Sequence, residues 1–228
     1  IAEKNDNVWI AQRQGRAKNS NDLTQPAILK MMAMGGEGTI IERLKQLHIV
    51  PLAISYEYDP CDYLKAREYQ LRRDLPYWKK TAEDDLESML VGIKGYKGHI
   101  FYKCAPCIDE WLDTVDEDLP KNKLFDAIAA HIDHEIHCNY KLYPINYVAL
   151  DMIQDTRVYE EYYTAEDYQN FNDYLNGQIE KIEIENRDDK FLRTCLLTQY
   201  AYPAKNYIAA SSENGRFKSL LNRLTFKK

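Results

Sequence analysis

The stretch HIVPLAISY, residues 48–56, is a continuous apolar run rich in β-branched side chains, and it ends at Tyr56. Such a run is typical of a strand that is buried on both faces of a parallel sheet. Two helical patterns precede it, at residues 24–34 and 39–47, separated by Gly35 and Gly36. A short apolar segment at residues 8–11 precedes both and is predicted to be a strand. Strand, helices and strand in this order predict a right-handed α/β unit.

After Pro120 the pattern changes from mixed strands and helices to helices alone. Thr81, followed by Ala-Glu-Asp, is typical of a helix start, and residues 95–104 read as another strand. Beyond Pro120, apolar residues recur every four positions, and further helix starts are predicted near Thr164 and Asn186. We therefore predict an α/β domain with a mostly parallel sheet over residues 1–118 and an all-helical extension over residues 119–228.

Composition limits the classes of function. The 228 residues include 36 acidic and 30 basic side chains, a net charge of −6, and 45% are apolar. These values predict a globular chain with a large core, and the acidic balance argues against a nucleic-acid partner. No apolar run approaches the ~18 residues that a membrane-spanning helix needs. The odd number of cysteines, five at irregular spacing, favours reduced thiols in a cytoplasmic protein.

A basic loop follows the first apolar segment. It places Arg13, Arg16 and Lys18 around Gly15. Such a loop can offer backbone N–H groups and guanidinium donors to a phosphate or a carboxylate. An ordinary exposed polar loop explains the same residues, and the loop alone does not decide between the two interpretations.

The cysteines and histidines raise the alternative of a zinc-binding or interaction module. Cys104 and Cys107 have CxxC spacing, and His131 and His134 lie on a predicted helix further along the chain. No second CxxC completes a ligand set, and His131 lies close to the apolar stripe of its helix, where a core histidine is the more common occupant. No metal or cofactor is therefore assigned, and the zinc module is kept as the alternative.

Nine of the 18 tyrosines cluster in residues 51–69 and 158–174. Their rings could line a groove for an acyl chain or a membrane interface. Tyrosines on helices more often pack at the edge of a core with the hydroxyl in water. The second interpretation is the one that we favour from the sequence.

Three blocks, taken in order, resemble the glycerol-phosphate acyltransferase family. The loop AQRQGRAKNS, residues 11–20, is similar to its third block, with Gln14 where glutamate is usual and with a match at Gly15 and Arg16. Residues 50–57 resemble its fourth block through Pro51, Ile54, Tyr56 and Glu57, and residues 92–108 resemble a later strand. The resemblance covers roughly residues 5–110. It is closest to a bacterial subgroup that carries QREGRAK and VPLxISYEYDPCDY.

The resemblance implies acyl transfer from acyl-CoA or acyl-carrier protein to a hydroxyl of glycerol-3-phosphate or lysophosphatidate, in phospholipid biosynthesis. It further implies a cytoplasmic enzyme with peripheral contact at the inner face of the cell membrane, with no cofactor. The residues implied in binding the phosphate of the acceptor are Arg13, Gln14, Gly15, Arg16 and Lys18. Gln14 departs from the family, because an amide cannot form the salt bridge that glutamate forms.

The general base of the family is a histidine in an HxxxxD motif, which removes a proton from a weakly acidic alcohol. None of the five histidines of this chain has aspartate five residues later. In the family the motif lies upstream of the third block. We therefore expect the catalytic pair to precede Ile1, no catalytic residue within the chain itself, and no transfer activity from this part alone.

Overall fold

The computed structural model describes residues 6–13, 15 and 17–213. Helices dominate this part of the chain. The strands are β1 Leu52–Tyr56 and β2 Ile100–Cys104. The helices are α1 Pro26–Met32, α2 Ile40–Lys45, α3 Asp62–Asp74, α4 Ala82–Lys94, α5 Asp109–Leu112, α6 Lys121–Cys138, α7 Pro144–Gln154, α8 Ala165–Glu180 and α9 Asp189–Glu213. A 3₁₀ turn, Glu160–Tyr162, follows α7. None of the helices in this described part combines the length and apolar character that crossing a bilayer requires.

The strands β1 and β2 pair with each other in a two-stranded sheet. The pairing is antiparallel, because the amide of Glu57 donates to the carbonyl of His99 while the amide of Ala105 donates to the carbonyl of Pro51. The predicted parallel sheet is therefore wrong for the part of the chain that is described. Residues 8–11 are exposed and form no strand, so the predicted α/β unit is also absent from that part.

The burial of β1 explains why the apolar run wrongly predicted a strand that is covered on both faces. Only Ala53 and Ser55 of this strand are buried, and every residue of β2 is exposed. An apolar run that is covered on both faces needs helices above and below it, whereas β1 alternates as a strand with one covered face does. The sequence could not reveal this difference, because the residues on the open face are apolar as well.

Most helices begin where the sequence predicts. Thr39, Thr81 and Thr164 each cap a helix, accepting a hydrogen bond from the amide three residues later, and the acidic side chain there bonds back to the threonine amide. Residues 121–213 contain helices and no strand among the described residues, as predicted. Helix α3 was not predicted. Its sequence, DYLKAREYQLRRD, has few apolar positions, and it buries polar residues such as Glu68 and Gln70 instead.

The chain divides into two compact units. The first comprises residues 1–16, 22–54 and 102–140, and the second comprises residues 17–21, 55–101 and 141–228. The division into residues 1–118 and 119–228 that the sequence suggests stays a prediction. In the structure, helix α6 shares the first unit with α1, α2 and α5.

The core of the first unit is built on one face of α6. The residues that recur every four positions along this helix are all buried, which confirms the predicted stripe: Leu124, Ile128, Ile132 and Ile136. Leu29 of α1 and Leu44 of α2 complete the same cluster. Asp133, on the same helix, accepts hydrogen bonds from the amide and the hydroxyl of Thr24, at 2.8 and 2.6 Å. These bonds fix the segment before α1 to α6.

The core of the second unit contains α3, α7, α8 and α9. Its fully buried apolar side chains include Val148 of α7, Phe171 and Leu175 of α8, and Leu192 and Leu196 of α9. Pro203 lies inside α9 and removes one backbone donor there. Burying this many apolar side chains, at about 1.5–3 kcal/mol each, is what holds the long α9 against its neighbours.

A carboxylate is buried in this second core. Asp62, at the start of α3, accepts hydrogen bonds from the hydroxyls of Tyr174 at 2.7 Å and Tyr200 at 2.6 Å. Burial raises the pKa of Asp62 from its ordinary 3.8 to about 6, and the two tyrosine bonds oppose that rise. The expectation that the tyrosine hydroxyls face water is therefore wrong for Tyr174 and Tyr200, whose hydroxyls bind this carboxylate.

The raised pKa of Asp62 predicts a specific pH dependence of stability. The folded state binds the proton more tightly than the unfolded chain, so this group favours folding most at low pH and loses that contribution as pH rises through about 6. Between about pH 5 and pH 8, the unfolding free energy should fall by about 1–2 kcal/mol in the wild type relative to Asp62→Asn. Urea unfolding of both proteins at the two pH values measures this difference. The exposed Glu183, replaced by Gln, is the control that should leave the pH dependence unchanged. An Asp62→Asn variant with wild-type pH dependence would contradict the assignment.

Candidate functional site

The loop after the first apolar segment is the site that the sequence singles out. Gly15 is exposed and has a φ of +71°, and no atom of the other described residues lies within 4 Å of the position that a Cβ would take. Gly15 therefore has the left-handed conformation that favours glycine. Gln14 and Arg16, two of the predicted phosphate ligands, lie outside the described residues.

Arg13 is the half-buried cation of this loop. Its Nη1 atom lies 3.5 Å from Oδ1 of Asp22, which is a loose ion pair. Its Nε atom is buried and has no hydrogen-bond partner among the described residues. A buried donor without an acceptor costs about 1–3 kcal/mol. An anion that reached this atom would remove that cost.

Lys18 has a partner in the protein. Its ammonium group forms an ion pair with Glu68 of α3, and the same carboxylate oxygen lies 2.7 Å from Nη2 of Arg72. Glu68 is nearly buried, so the pair is better shielded from solvent than an ordinary surface pair. Lys18 thus has a clear structural role, holding residues 17–21 to α3. Its assignment to the phosphate stays a prediction.

The residues of the predicted fourth block lie along β1. Pro51 is buried, and its carbonyl accepts a hydrogen bond of 2.8 Å from the amide of Ala105. Ile54 is half-buried, and Tyr56 is 43% exposed at the end of the strand. Pro51 therefore stabilises the antiparallel pairing, and a direct contact of this block with a substrate stays a prediction.

Glu57, the last residue of that block, fixes the turn before β2. Its Oε2 atom accepts a 2.9 Å hydrogen bond from the amide of His99 and lies 2.7 Å from Nδ1 of the same residue. Gly98 has a φ of +62°, and a Cβ there would come within 3.0 Å of the Glu57 side chain. The glycine thus leaves the space that the carboxylate occupies. These contacts give Glu57 a structural role.

The cysteines and histidines of the zinc alternative do not meet. Cys104 is exposed, while the ring of His131 is stacked on Trp111 with 3.9 Å between the ring centroids. His134 Nε2 lies 3.6 Å from the sulfur of Cys138. Within the described part of the chain, the one group of three such side chains close enough for a shared ion is His48, Cys107 and Asp109. The predicted set of Cys104, Cys107, His131 and His134 is therefore not assembled.

The electrostatic environment of these groups also argues against redox chemistry at the CxxC. Burial raises the pKa of the Cys107 thiol, whereas reactive thiols have a lowered pKa. Burial also lowers the pKa of His131, so its ring is held in the neutral form that stacks on Trp111. His131 is thus half-buried beside the apolar stripe of α6 and packs on Trp111.

Helix α4 presents an apolar face to solvent. Ser88 is its buried residue, and the opposite side carries four large apolar side chains that are 50–75% exposed, spaced three or four apart: Leu86, Met89, Leu90 and Ile93. Tyr96, just after the helix, is 75% exposed. A contiguous exposed apolar stripe of this kind is typical of a surface that contacts a partner or a membrane. The predicted helix start at Thr81 is confirmed. Nothing in the sequence indicated that the apolar face of this helix would be exposed to solvent.

Comparison of this chain with protein-family models, with curated proteins and with solved structures found no match. The case for a function therefore rests on the residues themselves.

Proposed function

We propose that this chain is the acceptor-binding part of an O-acyltransferase. The enzyme would transfer a fatty acyl group from an acyl thioester, acyl-CoA or acyl-carrier protein, to a hydroxyl of glycerol-3-phosphate or lysophosphatidate in phospholipid biosynthesis. The order of the three blocks within residues 5–110 supports the proposal. The observation that carries it furthest is Arg13 Nε, a buried donor that has no partner among the described residues and belongs to the residue two positions before the left-handed Gly15.

The chemistry of the acceptor explains why these residues matter. The phosphate of the acceptor carries negative charge that must be neutralised and held in one place while a neighbouring hydroxyl reacts. Guanidinium groups suit this role because they offer several donors in a planar fork. In the proposal, Arg13 and Arg16 bind the phosphate, and backbone N–H groups around Gly15 contribute further donors.

The hydroxyl of the acceptor also needs a general base, since an alcohol is too weakly acidic to attack a thioester unaided at pH 7. The HxxxxD pair that would supply it does not occur in these 228 residues. The proposal therefore assigns acceptor recognition to this chain, and assigns the general base to a residue outside these 228 residues. Transfer requires both parts.

Binding of the acceptor tests the role of Arg13. Isothermal titration of the 228-residue chain should show binding of glycerol-3-phosphate and none of glycerol, because the phosphate supplies the acceptor atoms for the guanidinium. Arg13→Gln should weaken this binding about tenfold or more, the loss of roughly one charged hydrogen bond. Arg157→Gln removes the same charge at an exposed position and is the matched control. Equal affinity in Arg13→Gln and the wild type would remove Arg13 from the site.

Steady-state kinetics test the role of Arg16. In the product of the whole coding sequence, Arg16→Ala should raise the KM for glycerol-3-phosphate or lower kcat by about tenfold to a hundredfold, because a charged donor to the phosphate is lost. The KM for the acyl thioester should change little. Unaltered kinetics in this variant would remove the phosphate-binding assignment of the loop.

Peripheral contact with the inner face of the cell membrane is part of the same proposal. Lysophosphatidate and the acylated products are lipids, so the enzyme must meet a lipid surface. The exposed stripe of α4, residues 86–93, is the surface that we assign to this contact. The first turn of α4 carries Glu83, Asp84 and Asp85, which would repel anionic headgroups. We therefore expect the face to prefer zwitterionic lipid.

Co-sedimentation with phosphatidylcholine vesicles tests this contact. The double variant Leu90→Ser/Ile93→Ser should lose most of the bound fraction, because it removes apolar area that is exposed in the free chain. Met31→Ser/Met34→Ser, which removes two exposed apolar side chains elsewhere, should bind as the wild type does. If the wild-type chain does not bind vesicles but dimerises through this stripe, the stripe is a contact between two copies of the chain. That result would refute the membrane contact.

A further inference from the structure

Three side chains with metal-binding chemistry meet in the first compact unit. His48 follows α2, Cys107 follows β2, and Asp109 begins α5. One nitrogen, one sulfur and one carboxylate oxygen, each from a different one of these residues, lie within 4.8 Å of one another. Among the His, Cys, Asp and Glu residues of the described part, this is the one group of three that meets this distance.

The backbone explains why residues so far apart in sequence meet here. The antiparallel pairing continues beyond the ends of the two strands, because the amide of Ile108 donates to the carbonyl of Ile49 at 3.0 Å. That hydrogen bond lies directly between the segment of His48 and the segment of Cys107 and Asp109. Ile108 and Leu112 are 1% exposed and Leu44 is fully buried, all in one cluster. The hydrogen bond and the buried cluster therefore hold the backbone segments that carry the three side chains in fixed positions.

One detail at this group is not explained by an ordinary surface ion pair. Nδ1 of His48 lies 2.6 Å from Oδ2 of Asp109, yet Oδ1 of Asp109 is buried and has no hydrogen-bond partner among the described residues. A buried carboxylate oxygen without a donor is costly unless a cation satisfies it. His48 also has a φ of +47°, the left-handed conformation that commonly follows the end of a helix, and it lies just after α2. From this position its imidazole reaches the carboxylate of Asp109.

We propose that His48, Cys107 and Asp109 bind a zinc ion. A mixed set of imidazole, thiolate and carboxylate suits Zn²⁺ and not Mg²⁺ or Ca²⁺, which prefer oxygen ligands alone. Three protein ligands leave one tetrahedral position for water. On binding, the sulfur–zinc bond replaces the S–H bond of Cys107, and the proton passes to solvent. Cys104, the other cysteine of the CxxC, is no part of this site.

The site has a structural consequence within its own unit. The ion would link the segment after α2 to the start of α5, beside the ion pair between Lys45 and Asp113. Both segments already pack on the same buried cluster, so the ligands need little ordering when the ion binds. Zinc should therefore raise the melting temperature of the chain.

Titration with metal tests the proposal. The untagged 228-residue chain, purified with chelator and then dialysed, should bind one equivalent of Zn²⁺. With Co²⁺ as the probe, it should show the intense near-ultraviolet charge-transfer band of a thiolate ligand. Cys107→Ser should abolish that band, and His48→Gln should weaken zinc affinity by about tenfold or more. His48 is 76% exposed at its side chain, so its replacement leaves the core intact.

The matched control is Cys104→Ser, which removes the exposed cysteine three residues away. This variant should bind zinc and show the cobalt band as the wild type does. Circular dichroism of each apo variant checks that the helices remain. A wild-type chain that binds no zinc, or a folded Cys107→Ser variant that keeps the cobalt band, would overturn the proposal. So would loss of the band in Cys104→Ser.

Discussion

The antiparallel backbone pairing of residues 49–58 with residues 97–108 is the constraint on which the local sites depend. Its hydrogen bonds join Glu57 to His99 in one unit, and Pro51 to Ala105 and Ile49 to Ile108 in the other. Each of these bonds places side chains that are some 40 to 60 positions apart in sequence next to each other. A shift of register by one residue would turn every one of these side chains to the opposite face. The Glu57–His99 contact and the His48–Cys107–Asp109 group would both be lost.

A second constraint is polar and lies in the helical core. Asp62 is buried at the start of α3, where Tyr174 of α8 and Tyr200 of α9 donate to the same carboxylate oxygen. Tyr200 also accepts a hydrogen bond from the amide of Asp59. A buried carboxylate is costly unless its acceptors are satisfied, so only an arrangement with both hydroxyls in place is stable. The network thereby selects one packing of three helices that apolar contacts alone would specify less tightly.

The two proposals concern different parts of the chemistry. The proposed acceptor binding rests on Arg13, whose Nε atom is buried and has no partner within the described part of the chain, and on the left-handed turn at Gly15. The zinc proposal rests on the meeting of His48, Cys107 and Asp109, and on Oδ1 of Asp109, a buried acceptor for which the described residues offer no donor. An anion would satisfy the buried donor of Arg13, and a cation would satisfy the buried acceptor of Asp109. Neither proposal needs the other to be correct.

The sequence by itself determined the features that depend on neighbours along the chain. Threonine followed by acidic residues predicted the starts of α4 and α8, the apolar repeat predicted the buried face of α6, and the polar run around Gly15 predicted a loop. Only the tertiary structure decided the direction of strand pairing, because an apolar run reads the same in a parallel and an antiparallel sheet. It also decided that Cys107 meets His48 and Asp109 and not His131 and His134. Such contacts depend on backbone hydrogen bonds between distant segments. Hydrogen bonds of this kind produce no periodic pattern in the sequence of either segment.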